Sequence, residues 1–81
     1  MLDDVQCQRA FGRFIKDGRE KQHLYQSQVA EMLGKSRQYY TSIETGARPV
    51  DLVAAIKICE VLHLKMSDFI SSYIEYEEPR S

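Results

Sequence analysis

Residues 24–46 read LYQSQVAEMLGKSRQYYTSIETG. Two short helical patterns meet there across a glycine, and the second decides how the whole chain is read. Gln26–Leu33 places Val29, Ala30 and Leu33 on one face, with Gly34 positioned to end the helix in the left-handed region. Ser36 then stands as an N-cap and Gly46 as a stop for a helix over Arg37–Thr45. At about 100° per residue, Arg37, Gln38, Thr41, Ser42 and Thr45 fall within roughly 140° of arc. Ser36, Tyr40, Ile43 and Glu44 take the opposite side, with Tyr39 at the border. The inner stripe is therefore only Tyr40 and Ile43. The outer face carries short hydrogen-bonding side chains and one arginine, and no carboxylate.

That outer face differs from a face built to meet water alone. The first segment of the chain shows Arg13, Lys16, Asp17 and Glu20 on its polar side, a mixture of both charges. Gln, Ser, Thr and Arg are the side chains that read base edges, and a carboxylate among them would repel phosphates. On the wheel alone, a base-reading face and a small helix that happens to be polar are equally good accounts.

The flanking sequence supplies the body that carries these two helices. A helix from about Asp3 to Gln22 sets Val5, Ala10, Phe11, Phe14 and Ile15 at helical spacing, with Gly18 as a weak point. After the loop closed by Pro49, Asp51 caps a helix over Leu52–Leu62. Its Leu52, Ala55, Ile56, Cys59 and Leu62 recur at the spacing of a buried stripe. A last helix covers about Met66–Tyr76, carrying Phe69, Ile70, Tyr73 and Ile74. The expected fold class is all-α: a compact five-helix bundle with connections of a few residues. Residues 1–76 form one domain in this reading, and 77–81 an acidic tail that frays.

Composition bounds the function. The 81 residues are 43% hydrophobic and 28% charged with a formal net charge of −1, which suits a folded domain and argues mildly against nucleic acid. The distribution reverses that argument locally. Glu75, Glu77 and Glu78 account for the negative sign, whereas Lys35, Arg37 and Arg48 outnumber the lone Glu44 between Gly34 and Pro49. Cys7 and Cys59 have no metal-ligand or disulfide-framework spacing, so two free thiols, no metal, no cofactor and a cytoplasmic setting are expected. No apolar run approaches the roughly 20 residues of a membrane span. Ser42 lacks any nucleophile elbow or oxyanion hole, so no catalytic residue is assigned and an enzyme is not expected.

The run Leu24–Gly46 resembles the helix-turn-helix of the phage repressor/Cro-like, or XRE, family of bacterial regulators, a lambda repressor-like fold. Leu24, Gln26, Val29, Ala30, Gly34, Ser36, Ile43, Glu44, Gly46 and Pro49 match that family's spacing without a gap, and the likeness extends over roughly residues 10–70. Tyr25, Lys35, Tyr40 and His63 depart from the usual cap, turn, core and glycine positions.

The resemblance implies a site, residue by residue. Gln26, opening the first of the two helices, is assigned to a phosphate and to bracing Gln38. Arg37, Gln38, Thr41 and Ser42 face bases from a recognition helix in the major groove. Ser36 and Tyr39 reach sugar–phosphate oxygens, Lys35 adds charge near the backbone, and Arg48 lies on the backbone or enters the minor groove. Arg19 and Glu44 match a structural ion pair between the first and third helices. The implied function is a sequence-specific double-stranded DNA-binding regulator, most simply a repressor. A symmetric operator needs two recognition helices about 34 Å apart. That requirement motivates a homodimer whose seam is Phe69, Ile70, Tyr73 and Ile74. A protein–protein module or antitoxin of the same fold, binding a partner such as a toxin through the C-terminal helix, is the alternative.

Overall fold

The computed structural model describes residues 3–75, with side chains through residue 72. Five α-helices follow in order: α1 (Asp4–Lys21), α2 (Gln26–Leu33), α3 (Arg37–Glu44), α4 (Leu52–Val61) and α5 (Met66–Phe69). A π-helical segment, Ile70–Glu75, continues α5. Among the described residues there is no strand, and no helix is long and apolar enough to cross a membrane.

The starts of the helices follow from local chemistry. Asp3 caps α1, accepting from the Gln6 amide at 2.8 Å while Gln6 Oε1 accepts from the Asp3 amide at 3.0 Å. Ser36 and Asp51 cap α3 and α4 through the amides of Tyr39 and Ala54. Tyr25 offers no such oxygen to α2. There Gln28 supplies the compensating half, accepting from the Tyr25 amide at 2.7 Å.

The ends are less uniform. Gly34 closes α2 at φ 70°, as its sequence suggests. Helices α1 and α4 instead end on histidines in the left-handed region, His23 at φ 59° and His63 at φ 57°. Both ends are tied by hydrogen bonds that pull the chain back, Leu24 N–H to Arg19 O and Leu64 N–H to Cys59 O. A side chain in this conformation costs roughly 1–2 kcal/mol, which glycine avoids. His63→Gly should therefore raise stability by about 1 kcal/mol, read as a rise of about 4–8 °C in Tm. An unchanged or lower Tm would show that His63 makes compensating contacts.

Helix α3 sits between α1 and α2, and α4 backs onto α2. The core consists of Ala10, Phe11, Ile15, Val29, Ala30, Tyr40, Ile43, Ala55, Ile58, Cys59, Leu62 and Phe69. Its closest approach is at Gly12, where a Cβ would run into the backbone carbonyls of Ile43 and Glu44. That missing Cβ lets α1 lie directly on the last turn of α3. Gly18 has a similar purpose rather than being a weak point, because a Cβ there would meet the Leu64 side chain.

Three residues expected inward are exposed, and one expected at an interface is buried. Val5 is 51% exposed, and Leu52 and Ile56 are 72% and 53% exposed. The buried stripe of α4 is Ala55, Ile58, Cys59 and Leu62. Helix α4 is apolar on nearly every side, so two overlapping stripes rotated about the helix axis satisfy the same periodicity, and only packing selects between them. Phe69 is expected at a dimer seam but is buried in the core. Its ring lies 5.4 Å from both Phe11 and Phe14, edge-on to the first at 85°. Ile70 remains exposed, and the side chains of Tyr73 and Ile74 lie outside the described set, as do residue 76 and the tail 77–81. Both thiols are free, and burial pushes that of Cys59 up.

Candidate DNA-binding face

The site is built around a buried charge. Arg19, near the end of α1, donates from Nε to Glu44 Oε2 at 2.6 Å and from Nη2 to Glu44 Oε1 at 3.2 Å. Its Nη1 donates to the Leu24 carbonyl at 2.7 Å, so one guanidinium fastens the end of α1, the approach to α2 and the last turn of α3. Both side chains are withdrawn from water, at 10% and 2% exposure. Burial by itself would raise the Glu44 carboxyl. The Arg19 guanidinium, then the adjacent Tyr40 hydroxyl and a Gln26 hydrogen bond, outweigh it and hold Glu44 below the usual carboxylate range. Arg19 is raised in turn, first by its hydrogen bond to Glu44.

This pairing is the reason α3 can carry a carboxylate and still present none. Glu44 points inward to Arg19, leaving the outer side to Arg37, Gln38, Thr41, Ser42 and Thr45, which line one shallow groove with Ala47. Arg37 and Gln38 are exposed, and Thr41 and Ser42 are half-buried. The inner anchors are Tyr40 and Ile43, at 0% and 1% exposure. The Tyr40 hydroxyl, which a core tyrosine of this kind is expected to send to the surface, is buried beside Glu44 and makes no hydrogen bond of good geometry among the described residues. Burial comes first, and the close approach of the Glu44 carboxylate to the hydroxyl after it, in raising that phenol well above its ordinary value.

Cationic side chains gather at the border residue. Lys35 Nζ lies 5.3 Å from the centre of the Tyr39 ring and the Arg48 guanidinium 5.0 Å. Arg48 does not extend freely from its loop. It donates from Nε to Ser42 Oγ at 3.0 Å, and the amides of Ala47 and Arg48 both donate to the Ser42 carbonyl. The loop after α3 is thereby folded back on the helix, turning at Gly46, whose φ is 81°. Ser36 spends its side chain as the N-cap of α3.

Gln26 is placed differently from the resemblance. Its amide does not brace Gln38; Nε2 donates to Glu44 Oε1 at 2.9 Å, and Oε1 accepts from Thr41 Oγ1 at 3.1 Å. One further cation borders the face without any sequence signal to announce it. Arg9, exposed on α1, lies against Gly46, where a Cβ would come 2.7 Å from Arg9 Cγ. Gln8 beside it donates to the Gly46 carbonyl at 3.2 Å. Both residues precede the motif by many positions, so only the packing of α1 on α3 brings them there.

Comparison with known proteins agrees with this geometry. A family described as helix-turn-helix matches residues 15–69. The chain is 40% identical over 71 residues to the control protein C.MunI of a Mycoplasma species, spanning 86% of this chain and 93% of that protein. It is also 45% identical over 38 residues to the ImmF control region 10 kDa protein of Bacillus phage phi105, spanning 47% of this chain and 42% of the phage protein. The matched family is one of DNA-binding regulators rather than an enzyme class. With α2 and α3 in that arrangement and the matched segment covering most of the bundle, the chain belongs to the XRE-type helix-turn-helix family of DNA-binding transcriptional regulators.

Proposed function

We propose that this chain is a dimeric repressor reading a palindromic operator, each copy setting α3 in the major groove. One observation carries the reading: the outer face of α3 offers arginine and neutral hydrogen-bonding side chains, while its single carboxylate is buried against Arg19. Arg37 and Gln38 reach base edges, Thr41 and Ser42 lie over the same groove, and Lys35, Tyr39 and Arg48 form a cationic flank for phosphate. Ser36 and Gln26 set the helix rather than reach far from it. Two copies are required because one eight-residue helix spans only one half-site. Exposed Leu52, Ile56 and Ile70 supply apolar surface for the seam. The same three side chains favour the second reading, a module that docks a different protein.

Selection of bound duplexes from a random pool tests the first reading, and the expected product is an enriched palindrome. No enrichment would overturn it. Binding should weaken steeply with salt as counterions are released. Gln38→Ala is expected to relax base preference at one position of each half-site, whereas Lys35→Ala weakens all sequences alike and lowers the salt slope by about 1. Equal loss of specificity from both changes would refute these roles. Sedimentation at micromolar concentration should give a dimer; a 9.4 kDa species alone would remove the seam.

A further inference from the structure

The buried ion pair has a consequence at the DNA-facing surface, through the direction of two protons. A carboxylate only accepts hydrogen bonds. The edge of the Gln26 amide that faces Glu44 Oε1, 2.9 Å away, must therefore be its NH2 group. This leaves the amide oxygen turned to Thr41, whose Oγ1 lies 3.1 Å from it. An amide oxygen also only accepts, so the Thr41 hydroxyl must donate inward. Its lone pairs are what remain for any ligand of the outer face.

We infer that Thr41 meets DNA as a hydrogen-bond acceptor only, so that it selects a base edge presenting an amino group, N6 of adenine or N4 of cytosine, and that Gln26 is the positioning residue imposing this polarity. The inference rests on the reading of α3 as the helix that contacts bases. Carbonyl and ring-nitrogen acceptors in the major groove, the O6 and N7 of guanine and the O4 of thymine, are refused at this position because no proton is left to offer them. The neighbouring Ser42 is constrained the same way. Its Oγ donates to the Tyr39 carbonyl at 2.7 Å and accepts from Arg48 Nε at 3.0 Å. Among the base-facing side chains of α3 itself, free donors are therefore confined to Arg37 and Gln38 in the first turn, with Lys35 and Arg48 adding donors only at the flank.

The test begins with duplex selection by the wild-type protein and by Thr41→Val, which keeps the shape and removes the hydroxyl. The base pair at which the variant loses preference marks the Thr41 contact. Synthetic duplexes then remove one atom group there: adenine replaced by purine, or cytosine by 2-pyrimidinone, deletes the amino group, and a 7-deazapurine deletes N7. Amino deletion should weaken wild-type binding about five- to tenfold, the scale of one good base contact, and leave Thr41→Val unaffected. N7 deletion should change neither. The reverse pattern overturns the inference. So does an enriched operator at which Thr41→Val keeps every preference, an outcome that leaves the DNA-reading function standing. Failure of the wild-type protein to enrich any duplex overturns that function itself. Gln26→Ala, checked for retained helicity, should relax the preference at that position and admit guanine or thymine there, because Thr41 can then turn its proton outward as well as accept. Unchanged discrimination against those bases would remove Gln26 from the role.

Discussion

Glu44→Gln is expected to remove about 3–5 kcal/mol of folding stability, because it leaves the Arg19 guanidinium buried without its counter-charge. For a domain of this size that is a large share of the total, and Tm should drop by more than about 12 °C. The loss comes from three places at once, since Arg19 also holds the Leu24 carbonyl and Gln26 also leans on Glu44. Acid should produce the same result in the wild-type protein. The folded-state pKa of Glu44 is lowered relative to the unfolded chain. Its stabilisation is therefore complete above the unfolded carboxylate value of about 4.3 and is lost as pH falls through the lower folded value. Chemical unfolding followed from pH 7 down to pH 3 measures this. The wild-type protein should show a steep acid limb, and Glu44→Gln a shallower one. Parallel limbs would mean that other carboxylates control acid unfolding.

Phe69→Ala should cost about 3–5 kcal/mol, the range for a buried aromatic ring cut back to a methyl group. The ring packs against those of Phe11 and Phe14 and is 6% exposed. With Met66, it attaches the short α5 to the core. The loss should be the same at every protein concentration, because the contact lies inside one chain. Ile70→Ser, one residue further along on the exposed side, should leave the stability of a dilute sample within about 0.5 kcal/mol, as for a surface change. If the proposed seam is right, the same change lowers the dimer fraction in sedimentation. A stability loss for Phe69→Ala that grows on dilution would return that ring to the interface.

The helix-turn-helix was legible because its signals are local. Caps at Ser36 and Asp51, the left-handed glycine at 34 and the small outer side chains of α3 each act over three or four residues, and each sits as read. The Arg19–Glu44 pair was legible only through resemblance, since nothing in the spacing of two residues on different helices requires them to meet. The phase of α4 was not legible. Leu52 and Ile56 fit a buried stripe as well as Ile58 does, and the chain's periodicity is indifferent between them. Phe69 and Ile70 pose the same difficulty: two adjacent large apolar residues of which one must face out.

What the sequence by itself determined, then, is where the helices begin and end and which side of α3 is left polar, because backbone capping and amphipathic spacing are short-range effects. What only the tertiary structure decided is how the polar groups on that side are spent. Gln26, Thr41, Ser42 and Arg48 all looked free to reach outward, and three-dimensional packing gives every one of them a partner within the chain. The physical reason is that a hydrogen-bonding side chain has a fixed number of donors and acceptors. The buried Glu44 takes the Gln26 amide and through it the Thr41 hydroxyl, while Ser42 and Arg48 are taken up by the Tyr39 carbonyl and by each other.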